Sequence, residues 1–227
     1  MIFRKNKERA HSGFTLIEMV VVIAIISILL LTLVPAMYNY YANSRLKSAN
    51  SDAKVLFNSA QTIMQEYEFS ERSAKDSFFY GHDDSGVHTG TLMLKGKVNS
   101  SGKGVIYQAA VNGAMIFTSE TDANAADYSA YRNEGGSEVP NPASFGGRLV
   151  RLYPDFDTSA WCIYIENYSV RCVVAASKET SDYVGGYPIK ADVKNDVDVI
   201  GTSTVSSVTV SDMQSYGARC WPVSTDE

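Results

Sequence analysis

Ser12-Gly13-Phe14-Thr15-Leu16-Ile17-Glu18 opens an apolar run that continues from Met19 to Val34 and ends at Pro35-Ala36. Only Ser27 and Thr32 interrupt the run, and a helix can satisfy such hydroxyls on its own backbone. Phe14 to Ala36 counts 23 residues, and about 20 suffice to cross the hydrocarbon core as a helix. Glu18 is the exception. A carboxylate within a membrane helix costs on the order of 2.5–3.5 kcal/mol at the helix centre and less toward its ends. A plain anchor has no need of it, so Glu18 is a functional candidate.

The residues before the run fix its orientation. Arg4, Lys5, Lys7 and Arg9 stand against Glu8, so Met1–Gly13 carries +3. The whole chain of 227 residues has a net charge of −5, which leaves −8 for the remainder. The basic flank is expected in the cytoplasm and the bulk of the chain on the other side. An acidic body argues against a dedicated nucleic-acid surface, which needs clustered Lys and Arg. With 45% hydrophobic and 20% charged residues, the chain is not compositionally disordered.

The string Ser12–Glu18 followed by a long apolar helix resembles the prepilin signature of type IV pilins and type II secretion pseudopilins. The resemblance covers Ser12 to Tyr67, about a quarter of the chain. It implies cleavage by a prepilin peptidase between Gly13 and Phe14 and methylation of the new amine at Phe14. It also maps the family glutamate onto Glu18 and the helix proline onto Pro35. Ser12 stands where many members carry Lys or Arg. The implied product is a homopolymer built through the amino-terminal helices with the help of a pilus assembly platform. The precursor would sit in the inner membrane before joining an extracellular filament. Glu18 of one chain would meet the Phe14 amine of its neighbour, a head-to-tail contact that builds an open helical filament.

Two other readings fit the same run. A secretory signal peptide would be cut near Val34-Pro35-Ala36, before Met37, but Glu18 would then lie inside its apolar region. A single-span anchor without assembly has no use for Glu18 either.

Past the membrane span the helix continues. Ala42, Leu46, Ala49, Ala53, Leu56, Ala60, Ile63 and Tyr67 recur at steps of four and three, one apolar stripe. One helix from Phe14 to about Glu68 is expected, with a kink at Pro35. Tyr38, Tyr40 and Tyr41 read as an interfacial aromatic belt. The expected divisions are a leader (1–13), a transmembrane and assembly helix (14–36), its amphipathic continuation (37–68) and a β-rich domain (69–227).

Strands are expected at Thr91–Val98, Val105–Val111 and Ala114–Thr118, the last two joined by an Asn112-Gly113 turn. Further strands are read at Leu149–Tyr153, Trp161–Ile165, Ser169–Ala175 and Thr204–Val210. The fold class is therefore α+β, a long helix packed on an antiparallel sheet, as the pilin resemblance also implies. Ser119–Gly147 reads as a long loop, a candidate exposed face of a filament.

Cys162 and Cys172 are equidistant from Asn167, so a turn at Glu166-Asn167-Tyr168 would set them face to face across a hairpin. Alternatively Cys220 closes onto one of them, as a carboxy-terminal disulfide does in many pilins. No cofactor is expected. His82-Asp83-Asp84 with His88 has metal-capable side chains but reads as an exposed loop. Asp192, Asp196 and Asp198 are the residues that would hold calcium, which some pseudopilins bind. No Ser-His-Asp order, phosphate-cradling glycine loop or HExxH is present, so an enzyme is the least expected class. A pseudopilin of a secretion or DNA-uptake machine, or a membrane-anchored adhesin that never polymerises, remains the alternative to a pilus subunit.

Overall fold

The computed structural model describes residues 13–71, 76–77, 81–82, 90–117, 121–122, 131–132, 138–139, 142–194, 196, 201 and 204–221. Helix α1 runs from Leu16 to Glu71. Strands β1 (Asp76–Ser77) and β2 (Gly81–His82) form a short pair. Next come β3 (Thr91–Val98), β4 (Gly104–Val111) and β5 (Ala114–Phe117). Three two-residue strands follow: β6 (Thr121–Asp122), β7 (Tyr131–Arg132) and β8 (Glu138–Val139). The chain closes with α2 (Pro142–Leu152), β9 (Ala160–Glu166), β10 (Ser169–Ala176), β11 (Gly185–Tyr187) and α3 (Val210–Cys220). The chain divides into two compact units, Met1–Tyr41 and Ala42–Glu227.

In the second unit the main sheet is antiparallel, in the order β11-β10-β9-β3-β4-β5, with β6 also paired to β4. The apolar stripe of α1 covers one face. Leu46, Ala49, Ala53, Leu56, Ala60, Ile63 and Tyr67 are buried as their spacing predicts, joined by Met64, while Ala42 is only half-buried. Ala53, Leu56, Ala60, Ile63, Met64 and Tyr67 pack with Leu92, Leu94, Ile106, Trp161, Ile163 and Val173 from the strands. The small stripe residues allow close approach: a Cβ on Gly185 of β11 would fall 2.1 Å from the Ala49 carbonyl carbon. Polar pins hold the helix in place. Asn50 Oδ1 accepts from Gly186 N at 2.9 Å and Ala191 N at 3.1 Å, and Gln61 Oε1 accepts from Val170 N at 2.8 Å.

Two expected strands are helices or turns. Leu149–Tyr153 belongs mostly to α2. Proline suits a helix's first turn, and Pro142 opens this one. Phe145, Leu149 and Tyr153, spaced four apart, are all buried, so the segment reads with a helical period once the window is widened. Arg148 of α2 pairs with Glu66 of α1 at 2.8 Å and lies over the Tyr67 ring. The segment expected as a loop at Ser119–Gly147 therefore ends in α2, and most of it lies outside the described residues.

Thr204–Val210 is likewise not a strand. Val205 and Val208 are buried against the second face of the sheet without joining its ladder. Thr209 then caps α3 reciprocally: Asp212 Oδ2 accepts from Thr209 N at 2.8 Å, and Thr209 Oγ1 accepts from Asp212 N at 3.2 Å. Met213 and Tyr216 of α3 complete a second core with Met93, Cys162, Tyr164, Cys172 and Val174. The sheet is thus covered on both faces. That explains why β9, Ala-Trp-Cys-Ile-Tyr-Ile-Glu, is buried at six consecutive positions rather than at alternate ones.

The Asn112-Gly113 hairpin forms as expected, with both residues at positive φ (49° and 80°). The β9–β10 turn is tighter than expected. Its loop is only Asn167 and Tyr168, at φ 48° and 61°, because Glu166 already pairs with Ser169. A bulge at Arg171 then shifts the register, so Cys172 faces Tyr164 and Cys162 faces Val174. The face-to-face Cys162–Cys172 arrangement is therefore corrected: the two thiols share a sheet face but are not cross-strand partners.

Candidate functional site

The amino-terminal unit holds one helix long and apolar enough to cross a membrane, by length and composition. Its start is built by a short sequence device. Thr15 precedes the first helical residue, and Glu18 is the third position within the helix. Thr15 N donates to Glu18 Oε2 at 2.7 Å and Thr15 Oγ1 donates to the same oxygen at 2.8 Å. Glu18 N returns a longer bond to Thr15 Oγ1 at 3.3 Å. This is a capping box, Thr-x-x-Glu, which satisfies helix-end donors that otherwise have no partner. Sequence reading singled out Glu18 and passed over Thr15, although the Thr-x-x-Glu spacing was there to be seen.

Gly13, Phe14 and Thr15 precede the helix and are exposed, as is the whole Phe14–Val34 segment. The Gly13–Phe14 bond therefore lies in exposed, non-helical backbone just ahead of α1. Phe14, Ile17, Glu18, Val21 and Val22 lie together along one side of the first two turns. Glu18 is the one ionisable side chain between Phe14 and Val34. The two hydroxyls of the run bond to their own helix: Ser27 Oγ to Ile23 O at 2.6 Å and Thr32 Oγ1 to Leu29 O at 3.0 Å. They add no unsatisfied polar group to the apolar surface. Pro35 lies inside α1 and has no N–H to offer the carbonyl of Leu31. Tyr38, Tyr40 and Tyr41 are exposed on the turns that follow.

The cysteines are three free thiols, Cys162 and Cys172 buried and Cys220 half-buried. Cys172 turns toward α3, its Sγ donating to Met213 O at 3.4 Å. Burial pushes the Cys162 thiol up to about 12 and the Cys172 thiol well above the ordinary range, so neither is a reactive thiolate. Beside Cys162 sits Lys95, buried, its Nζ donating to Ser206 O at 3.1 Å; burial holds its pKa below the usual lysine range.

Among the described residues no group of three His, Cys, Asp or Glu side chains is placed to hold a metal ion. Asp196 Oδ2 accepts from Asp192 N at 2.9 Å. Asp198, the third carboxylate of that set, lies outside the described residues. So do Asp83, Asp84 and His88.

A membrane-length helix with a capped, singly charged start, followed by a sheet packed on its amphipathic continuation, defines a pilin-like α+β architecture. Residues 9–34 match the family described as Prokaryotic N-terminal methylation motif. The chain thus carries the signal motif of type IV pilins and pseudopilins, over 26 of its 227 residues. No curated protein and no solved structure matches the chain.

Proposed function

We propose that this chain is the structural subunit of a type IV pilus or pilus-like filament, made as a membrane-anchored precursor and cut between Gly13 and Phe14. The observation that carries this reading is the lone carboxylate of Glu18 in an otherwise apolar helix. Cleavage would leave the α-amine of Phe14 one residue before Thr15, next to the capping box. Among the described residues, both short contacts to Glu18 end on Oε2. Oε1 is therefore the oxygen available to the methylated amine of a neighbouring subunit. Each charge is costly in lipid alone, and pairing them offsets that cost while fixing axial register.

The exposed apolar side chains support the same reading. Leu16, Ile23, Ile28 and Leu31 are 60% exposed or more in the single chain. A surface of that kind belongs in lipid or against further copies of the same helix. The domain that follows Tyr41 would then form the outside of the fibre. A bridge from Cys220 to Cys172, the buried thiol that turns toward α3, is part of the proposal. The methylation motif serves pseudopilins of secretion and DNA-uptake machines equally well, and that is the alternative reading.

Replacing Glu18 separates filament subunit from simple anchor. Glu18→Ala protein should insert and be cleaved normally yet be lost from sheared surface fibres. Wild-type protein that stays in membranes and never enters the sheared fraction would instead mark a non-polymerising anchor.

A further inference from the structure

The sheet face away from α1 carries a cleft. It opens where α3 passes β9 and β10, encloses about 490 Å3, and is lined by Thr91, Tyr164, Glu166, Arg171, Gln214 and Trp221. Its shape follows from the bulge in β10. Arg171 is the extra residue of that bulge, unpaired in the ladder, and bulges re-aim side chains in this way. The freed carbonyl of Arg171 accepts the indole N–H of Trp221 at 2.9 Å. Trp221 N also donates to Gly217 O at 3.2 Å. Trp221 is thus held by its indole N–H and by its backbone N–H while remaining 49% exposed. Gly217 keeps the space open, because a Cβ there would sit 3.3 Å from Arg171 Cβ and 3.4 Å from Tyr164 Cδ1. A glycine inside a helix costs about 1 kcal/mol relative to alanine, and this close approach gives it a purpose.

The lining discriminates between ligand classes. Arg171 Nε lies 2.8 Å from Glu166 Oε2, so the two charges offset each other. A free anion would meet the Glu166 carboxylate and a free cation the Arg171 guanidinium. A purely apolar ligand would cover the half-exposed Glu166–Arg171 pair and strip it of water without offering it a hydrogen bond. A neutral sugar ring suits the lining. Its C–H face stacks on a fixed indole, and its hydroxyls both donate to Glu166 and accept from Arg171 and Gln214. The volume lies in the range of small-molecule sites, about 300–1,000 Å3. We propose that this cleft binds a neutral saccharide of one to three rings, which would give the chain an adhesive surface distinct from its assembly helix.

The test uses the full chain in phosphatidylcholine nanodiscs, which present no sugar headgroup. The probe is an array of neutral mono- to trisaccharides, and hits are titrated by tryptophan fluorescence in the wild type and by isothermal titration calorimetry in the wild type and every variant. The chain has two tryptophans and Trp161 is fully buried, so a ligand-induced shift reports on Trp221. The expected result is a saturable shift with at least one sugar, its affinity weakened tenfold or more by Trp221→Ala and by Glu166→Gln, and less by Trp221→Phe. Glu166→Gln carries the test should Trp221→Ala fail to fold. The proposal is overturned if no sugar gives a saturable shift at millimolar concentration or if both variants bind unchanged. It is equally overturned if inorganic phosphate saturates the site and Glu166→Gln tightens it.

Discussion

Thr15 and Glu18 are bonded in both directions at the start of α1: the threonine amide and hydroxyl both reach one carboxylate oxygen, at 2.7 and 2.8 Å, and the Glu18 amide reaches back at 3.3 Å. The residue proposed to recognise a neighbour's amine is therefore already held in place by its own chain. Pre-organisation of that kind lowers the ordering cost of the intermolecular contact.

Removing the holder should weaken assembly without abolishing it. Loss of an N-cap costs about 0.5–2 kcal/mol. Thr15→Val is expected to leave cleavage intact and reduce the pilin recovered in sheared fibres, by less than Glu18→Ala does, while Thr15→Ser restores it. Equal recovery from Thr15→Val and wild type would show that the cap plays no part in assembly.

The stripe of α1 offers a stability test independent of assembly. Leu56 is fully buried between the helix and the sheet. Leu56→Ala should destabilise the protein by about 2–5 kcal/mol, seen as a lowered midpoint in urea unfolding. Gly185→Ala should be severe as well, since its Cβ would overlap the Ala49 backbone. Near-native midpoints for both would mean that α1 does not pack on the sheet as described.

Lys95 predicts a pH dependence of stability. Burial lowers its pKa in the folded protein below the unfolded value of 10.5. The unfolded chain then binds more protons between the two values, so this residue's contribution rises with pH through that window and is complete above 10.5. Lys95→Met should be neutral or stabilising near pH 7. Its advantage over wild type should shrink as pH climbs toward 10.5, which paired urea titrations at several pH values would measure. A difference that stays constant with pH would contradict a desolvated lysine.

Thiol labelling checks the second core. In reduced, folded protein only Cys220 should react quickly with an aromatic disulfide reagent, because Cys162 and Cys172 are buried. Both should label once urea unfolds the chain. Rapid labelling of all three in the folded state would mean that α3 does not cover the sheet.

The helix was legible because its evidence is periodic and long. The stripe from Leu46 to Tyr67 repeats over six turns and buries seven positions in fixed register. The Asn112-Gly113 hairpin was legible because positive φ at both turn positions limits the residues that fit there. The third layer was not. Val205, Val208 and Val210 mimic strand alternation, but their partners lie across the sheet, and only the Thr209-x-x-Asp212 box marks the helix that follows. The Arg171 bulge was equally hidden. A single unpaired residue leaves no compositional trace, yet together with the two-residue turn it sets the cysteines out of register and shapes the cleft beside Trp221. At the candidate site, Glu18 stood out as a charge in an apolar run, whereas Thr15 was masked by its ordinary role as a cap.

The central claim is processing followed by assembly, and intact-mass with amino-terminal peptide mass spectrometry on protein sheared from cells, without reducing agent, tests it most directly. The account predicts a chain beginning at Phe14, one methyl group heavier than the unmodified sequence, with a two-hydrogen deficit from the Cys172–Cys220 bridge. A chain beginning near Met37, or one that retains Met1, would contradict prepilin processing and return the protein to the secreted or simply anchored classes.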